Sequence, residues 1–230
     1  MKLLLISDLH GNLEALDAVL GNVNYDRAVC MGDLVDYGPD PGAVIDWVRN
    51  NCMAVIRGNH DNAVGFMVDC GCGYKYKHLS VATREYTWKV LSEADMEFLR
   101  GIPLTRALEL DGLKLKMVHG SPESFFDYLY PDISPEKLAE YTAGVTSDYL
   151  LTGHTHFPAV LKAPTTTVLN PGSVGQPRDG DWRASCMVLD TVARTQEILR
   201  IEYDIDATCR KVERSMPLAD ELTAILRRGY

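Results

Sequence analysis

The chain has 230 residues, 46% hydrophobic and 24% charged, the composition of an ordinary globule long enough for one well-buried domain. Its formal net charge of −9 argues against a general nucleic-acid surface or a surface for anionic membranes, although a compact anion can still be held locally. The apolar run at 3–6 is too short for the core of a signal peptide and nothing approaches a membrane span, so the expected location is the cytoplasm.

Leu3-Leu4-Leu5-Ile6 reads as a buried strand over 2–7, and apolar residues at 13, 16, 19 and 20 predict a helix from Asn12 to Leu20. A strand over 27–31, a helix over 41–50 announced by Pro39 and Pro41, and a strand over 53–57 follow. This alternation predicts βαβ units in a largely parallel sheet, with loops gathered at the C-terminal ends of the strands. Residues 78–100 read as two helices, the second capped by Ser92 and stopped at Gly101 and Pro103. Residues 62–103 would then form a helical cap beside the cleft, within a single domain spanning 1–230. Asp111-Gly112 signals a hairpin between 104–110 and 113–118. Strands near 148–151, 158–162, 166–169, 184–190 and 196–203 are expected to build a second sheet, and a helix is expected over 218–228.

Cysteines at 30, 52, 70, 72, 186 and 209 are scattered, unlike a disulfide framework. Cys30, Cys52 and Cys186 read as small core residues, whereas Cys70-Gly71-Cys72 lies on a loop where a thiol pair could oxidise or catch an ion.

Five of the six histidines fall in an ordered series: Asp8-Leu9-His10, Gly32-Asp33, Gly58-Asn59-His60-Asp61, Val118-His119-Gly120 and Gly153-His154-Thr155-His156. Singly, each piece is an ordinary turn. Together they assemble imidazole, carboxylate and amide oxygen, the groups that hold borderline divalent ions. Asp8 and His10 are two apart at the end of a strand, hence on one face, and His154 and His156 repeat the spacing after Tyr149-Leu150-Leu151. Gly32, Gly58, Gly120 and Gly153 each stand beside a candidate ligand, where the chain must turn sharply. The series reads as a two-metal hydrolase site on loops at strand ends.

These blocks, D-x-H, G-D, G-N-H-D, H and G-H-x-H, resemble those of the calcineurin-like metallophosphoesterases, over positions 3 to about 175. The resemblance implies an α/β fold, a βαβ sandwich of two mixed sheets flanked by helices. It implies a first metal on Asp8, His10, Asp33 and His156, a second on Asp33, Asn59, His119 and His154, and His60 as catalytic histidine. Thr83-Arg84, Phe98-Leu99-Arg100 and the run from Asn170 to Arg178 are similar to the small bacterial and archaeal phosphodiesterase branch. Two divalent ions, manganese first with iron, zinc or nickel as alternatives, would prepare a shared water for in-line attack as metal-bound hydroxide. With Asp8, Asp33 and that hydroxide, the centre would keep a net charge of about +1 toward an anionic substrate. His60 would protonate the leaving oxygen as general acid, a task worth about 10²–10⁴ in rate. Asp61 would orient that imidazole or raise its pKa, or else cap a helix starting near Asn62.

Departures from neighbouring families narrow the expectation. Protein serine/threonine phosphatases and symmetrical dinucleoside tetraphosphate hydrolases read G-D-x-V-D-R-G and G-N-H-E, where this chain has Tyr37 for the arginine and Asp61 for the glutamate. Vacuolar-sorting scaffolds of the same fold lack the catalytic histidine that His60 supplies. Cys52 to Arg57 is one residue short of a cysteine-phosphatase loop, and strand-like segments around every motif exclude an all-helical HD phosphohydrolase.

Arg178 and Arg183 flank Asp179-Gly180-Asp181, where either could grip a non-reacting phosphate oxygen or lie solvated. Tyr74, Tyr76, Phe125, Phe126, Tyr128 and Tyr130 follow ligand loops and could stack on a nucleobase, with packing the expected role. His78 carries no expected role. The expected activity is hydrolysis of a small phosphodiester or nucleotide. A phosphomonoesterase for small phosphorylated metabolites is the alternative, and a non-catalytic, metal-stabilised binding module is the alternative of another class. The expected partner is a small phosphorylated molecule, with no membrane and no general nucleic acid, and with a homo-oligomer left open.

Overall fold

The computed structural model describes residues 1–71, 73 and 76–230, so Cys72, Tyr74 and the expected Cys70–Cys72 pair lie outside the described residues. The chain begins with the expected alternation: β1 (Lys2–Ile6), α1 (Leu13–Asn22), β2 (Arg27–Cys30), α2 (Pro41–Asn51) and β3 (Cys52–Val55). Asn12 starts α1 by accepting the Ala15 N–H at 3.2 Å, and Pro41 opens α2, where its missing N–H has no partner to lose. Helices α3 (Asn59–Phe66), α4 (Lys77–Val90) and α5 (Glu93–Gly101) follow, the last closed by a reciprocal Ser92–Asp95 capping box.

The hairpin β4 (Arg106–Leu110) to β5 (Leu113–Met117) turns at Asp111 and Gly112, both at positive φ as a type I′ turn requires. After it come α6 (Pro135–Thr142), β6 (Tyr149–Leu151), β7 (Pro158–Lys162), β8 (Thr167–Pro171), β9 (Ala184–Asp190), β10 (Thr195–Ile201), α7 (Ile205–Ser215) and α8 (Ala219–Arg228).

The strands form two mixed five-stranded sheets, β10-β9-β1-β2-β3 and β4-β5-β6-β8-β7. The expectation that 184–190 and 196–203 belong to the second sheet is corrected, because β9 pairs antiparallel with β1 and β10 with β9. The reason lies in β1: Leu3, Leu4, Leu5 and Ile6 are buried on both faces, so the strand needs a neighbour on each edge, and β2 supplies only one. Leu3, Leu5, Val29, Met31 and Ile56 face Leu115, Met117, Leu151 and Leu169 between the sheets. Leu4, Ile6 and Cys30 face the other way, onto Leu16 and Val19 of α1 and Val44, Ile45 and Val48 of α2. Each such side chain contributes about 1.5–3 kcal/mol on full burial. Leu138 of α6 covers the far face of the second sheet against Leu150 and Val168. Among the described residues, no helix is long and apolar enough to cross a membrane.

Candidate metal centre

The parallel strands β1, β2 and β3 of one sheet and β5 and β6 of the other are each followed directly by a ligand loop. Asp8 and His10 follow β1, Asp33 follows β2, Asn59 and His60 follow β3, His119 follows β5, and His154 and His156 follow β6. The expected same-face spacing along a strand is not how the pairs meet. β1 stops at Ile6 and β6 at Leu151, and Asp8, His10, Asp33, His154 and His156 all lie beyond their strands in the left-handed region, at φ of 53, 45, 56, 66 and 61°. Asp and His tolerate that region better than most residues, at a cost of about 1–3 kcal/mol each. Close packing of the loops explains two of the glycines. Gly32 has φ +92° and a Cβ there would lie 2.5 Å from Gly58 N, while a Cβ on Gly153 would collide with Ser7 Oγ and lie 2.9 Å from Asp8 Oδ2.

Two ligand groups result, each with donor atoms within 4.8 Å of one another: Asp8, His10 and His156, and Asp33, His119 and His154. Asp33 Oδ2 stands 3.1 Å from His119 Nε2 and 3.9 Å from His10 Nε2, between the groups. Asn59 Oδ1 lies 3.1 Å from His119 Nε2, turned inward because its Nδ2 donates to Cys70 O at 2.9 Å. All seven side chains are buried.

The hydrogen-bond chemistry of the set fits cations. Nδ1 of His10 donates to Val35 O at 2.8 Å and Nδ1 of His156 to Gln176 O at 2.5 Å, since a carbonyl can only accept. In the neutral rings, both Nε2 lone pairs then face each other at 3.2 Å, an arrangement that a cation between them relieves. Asp8 Oδ1 and His154 Nε2 are likewise buried without a hydrogen-bond partner among the described residues.

Burial holds His10 well below its ordinary pKa, lowers His154 to about 3 and lowers His156, each with help from neighbouring positive groups. Burial opposes ionisation of Asp8 and Asp33, but His156 beside Asp8 and His119 and His60 beside Asp33 hold both carboxyls below the usual range. Burial also opposes a charge on His119, yet the Asp33 carboxylate raises it to about 9, so a proton and a metal ion would compete for its Nε2.

His60 stands beside the centre, its ring 5.1 Å from that of His10 and its Nδ1 2.8 Å from Asp36 Oδ2. Burial works against its charge, while Asp33 and the bond to Asp36 raise it to about 9. Of the two roles expected for Asp61, bracing that imidazole or capping a helix, the structure shows the cap. Its carboxylate accepts the N–H groups of Asp33 at 2.8 Å, Leu34 at 2.7 Å and Gly58 at 3.0 Å, pinning the β2 loop to the start of α3. Burial, reinforced by the Asp33 charge, pushes its pKa up. That helix starts at Asn59 rather than near Asn62, which puts Asp61 at its third position and its carboxylate on the backbone instead of on His60.

Asp36 therefore holds the imidazole. It is itself held from α4, with Arg84 Nε at 3.6 Å and Thr87 Oγ1 at 3.3 Å. The sequence signal for it is the second carboxylate of Gly32-Asp33-Leu34-Val35-Asp36.

Of the two candidate substrate arginines, Arg178 is beside the centre. Its guanidinium lies 4.2 Å over the Tyr76 ring and 5.7 Å from the Tyr37 ring, is fixed to Gln176 Oε1 at 2.8 Å, and its charge depresses His156. Tyr37 packs edge-on to His10 and against His60, each at 4.9 Å. Arg183 is committed elsewhere, in a fork on Asp181 at 3.0 and 2.6 Å, and Asp179 is taken by Arg200. Tyr128 stacks on His154, whereas Phe125 and Phe126 pack on each other. His78 is an exposed helix-start residue bonded to Glu221, and Cys70 is buried with its Sγ 3.0 Å from Ser80 Oγ.

The family model of the calcineurin-like phosphoesterase superfamily domain matches residues 1–194. The chain belongs to the calcineurin-like phosphoesterase superfamily, and its two ligand groups fit a metallophosphoesterase. Protein MJ0912 of Methanocaldococcus jannaschii is 33% identical to it over 90% of each chain. The solved metallophosphoesterase from Sphaerobacter thermophilus superposes with a TM-score of 0.83 at 29% identity, covering 100% of this chain and 99% of its own. Hypothetical protein PH1004 from Pyrococcus horikoshii OT3 has the same fold, with a TM-score of 0.85 at 24% identity over 100% and 98% of the two chains.

Proposed function

We propose that the protein hydrolyses a small phosphodiester or a nucleotide at a dinuclear centre, with manganese as the native ion and His60 as general acid. The observation that carries this reading is His60 itself: a buried imidazole braced by Asp36 at 2.8 Å, next to the ligand groups but outside both. A binding module that used metal only for folding would have no need of such a group.

Asp8, His10, Asp33 and His156 would hold one ion, and Asp33, Asn59, His119 and His154 the other, with Asp33 shared. When bound, the ions supply Lewis-acid activation of water and a countercharge for phosphate. His60 gives its proton through Nε2 to the departing oxygen while Nδ1 stays on Asp36, and the bond fixes the ring for that transfer. Arg178, held flat on Tyr76, meets a non-bridging oxygen.

Diester is favoured over monoester by the count of charges. Arg183 is committed to Asp181 and Arg84 stands beside Asp36, which leaves Arg178, of these three, for the single negative charge of a diester. We take 1–230 as one domain, with 62–103 serving as the helical wall behind Asp36, a role supported by Arg84 and Thr87. A cytoplasmic setting is supported by the free thiols of Cys30, Cys52, Cys186 and Cys209.

The test is turnover of bis(p-nitrophenyl) phosphate and p-nitrophenyl phosphate by metal-stripped protein resupplied with manganese, beside a His60→Ala variant. Metal-dependent diester hydrolysis that is lost in a variant still binding manganese supports the reading. Preference for the monoester moves the alternative ahead, and equal behaviour of the variant removes His60 from the chemistry.

A further inference from the structure

The two flanks of the centre differ in kind. On the side of His10 and His60 stands Arg178 over Tyr76 and Tyr37. On the side of His154 stands a file of rings. Tyr128 lies on the His154 imidazole with centroids 4.1 Å apart and planes 29° apart. Tyr130 lies parallel to Tyr128, at 5.3 Å and 4°, and Phe157 meets Tyr130 edge-on at 5.7 Å and 84°.

The segment bearing these rings is anchored without them. Leu129, between the two tyrosines, is buried with Val118, Leu138 and Leu150. The loop before it is tied by Ser121, whose Oγ donates to Asp127 and accepts the N–H groups of Glu123 and Ser124. Tyr130 nonetheless stays 39% exposed, so a stacked aromatic surface runs from a ligand histidine out to solvent.

We propose that the Tyr128–Tyr130 stack is a substrate subsite for a planar aromatic group, a nucleobase in the first instance, carried by the ester substituent that stays on phosphorus. The orientation follows from His60. The leaving oxygen must meet that imidazole, which lies among His10, Tyr37 and Asp36, so the retained substituent lies along the other flank, beside His154. Arg178 then serves the phosphate, and the tyrosines distinguish one ester from another. This rests on the diesterase reading above and adds to it the identity of the retained group.

Thymidine 5′-(p-nitrophenyl phosphate) and methyl p-nitrophenyl phosphate share a leaving group and differ in the retained one. With manganese-loaded protein, the thymidine ester is expected to exceed the methyl ester in kcat/KM by about tenfold, mostly through KM, an advantage of the size that base stacking supplies. Tyr130→Leu should remove most of that advantage and leave the methyl ester within about twofold, which also reports that the variant is folded; Tyr130→Phe should keep it. Equal efficiency of the two esters in the wild type, or an advantage that survives in Tyr130→Leu, overturns the subsite and leaves the diesterase reading standing. Failure to hydrolyse either ester overturns the diesterase reading, and the subsite with it.

Discussion

Replacing Asp36 by asparagine keeps the shape of the group behind His60 and removes its charge. On the proposed reading Asp36 acts through His60 as a positioning residue, so the loss should appear in kcat rather than in metal or substrate binding. Asp36→Asn is expected to bind manganese normally and to lose about 10- to 100-fold in kcat on bis(p-nitrophenyl) phosphate, with KM nearly unchanged. A loss of bound manganese, or an effect confined to KM, would assign Asp36 to folding instead. Packing is as demanding as charge at the neighbouring glycines. Gly153→Ala should destabilise the protein by about 1–3 kcal/mol in urea titrations, because its methyl group meets Ser7 Oγ and Asp8 Oδ2. The candidate ligands were legible in the sequence because imidazoles, carboxylates and glycines recur there in fixed order. Asp36 was visible only as the second carboxylate of its block; its contact with His60 was not, because that depends on a left-handed loop, with Asp36 at φ 64° and Tyr37 at 63°. Arg178 and Arg183 looked alike for the same reason: only the folded loop turns Asp181 onto one of them.

At the scale of elements, α7 and α8 lie beyond the family-domain match, yet they form the bed of Tyr37, which packs with Leu79, Cys209, Val212, Met216, Leu222 and Leu226. Leu222→Ala should therefore cost about 2–5 kcal/mol of stability, read from the urea midpoint. Lys211 ties α7 to α1 and α2 through Glu14 and Asp40, the latter at 2.7 Å. Burial opposes its charge, but these carboxylates raise its pKa above the ordinary 10.5. Its contribution is then complete below pH 10.5 and lost as pH rises through the folded value. The stability gap between wild type and Lys211→Met should accordingly be constant near neutrality and shrink above that pH. The helix α7 was readable in principle, since Ile205, Cys209, Val212 and Met216 recur at helical spacing behind the Asp204 cap. The sheet membership of β9 and β10 was not, because local pattern gives a strand its faces but not its neighbours.

For the whole molecule, the candidate centre lies where loops from both sheets meet. If the proposed ions are bound, chelation would leave buried carboxylates and facing imidazole lone pairs without a countercharge, so the melting temperature should fall on EDTA treatment and return with manganese. At an ion concentration of a hundred times Kd, one site adds about 2.7 kcal/mol to the folded state, a difference that calorimetry resolves. An unchanged melting curve would mean that the loops hold their shape alone.

The pairing of β1 with β9 also bears on biosynthesis. The carbonyls of Ser7 and Asp8 accept the N–H groups of Val174 and Gly175, and the free edge of β1 waits for residues 187–190. All seven candidate ligands precede residue 157, so a chain still emerging from the ribosome carries every one of them before the scaffold that aligns Asp8 exists. Contacts so distant along the chain form late and slowly. On the proposed reading, loading of the ions would be a closing event of synthesis, and a nascent chain halted before residue 171 is expected to take up manganese only weakly and without turnover.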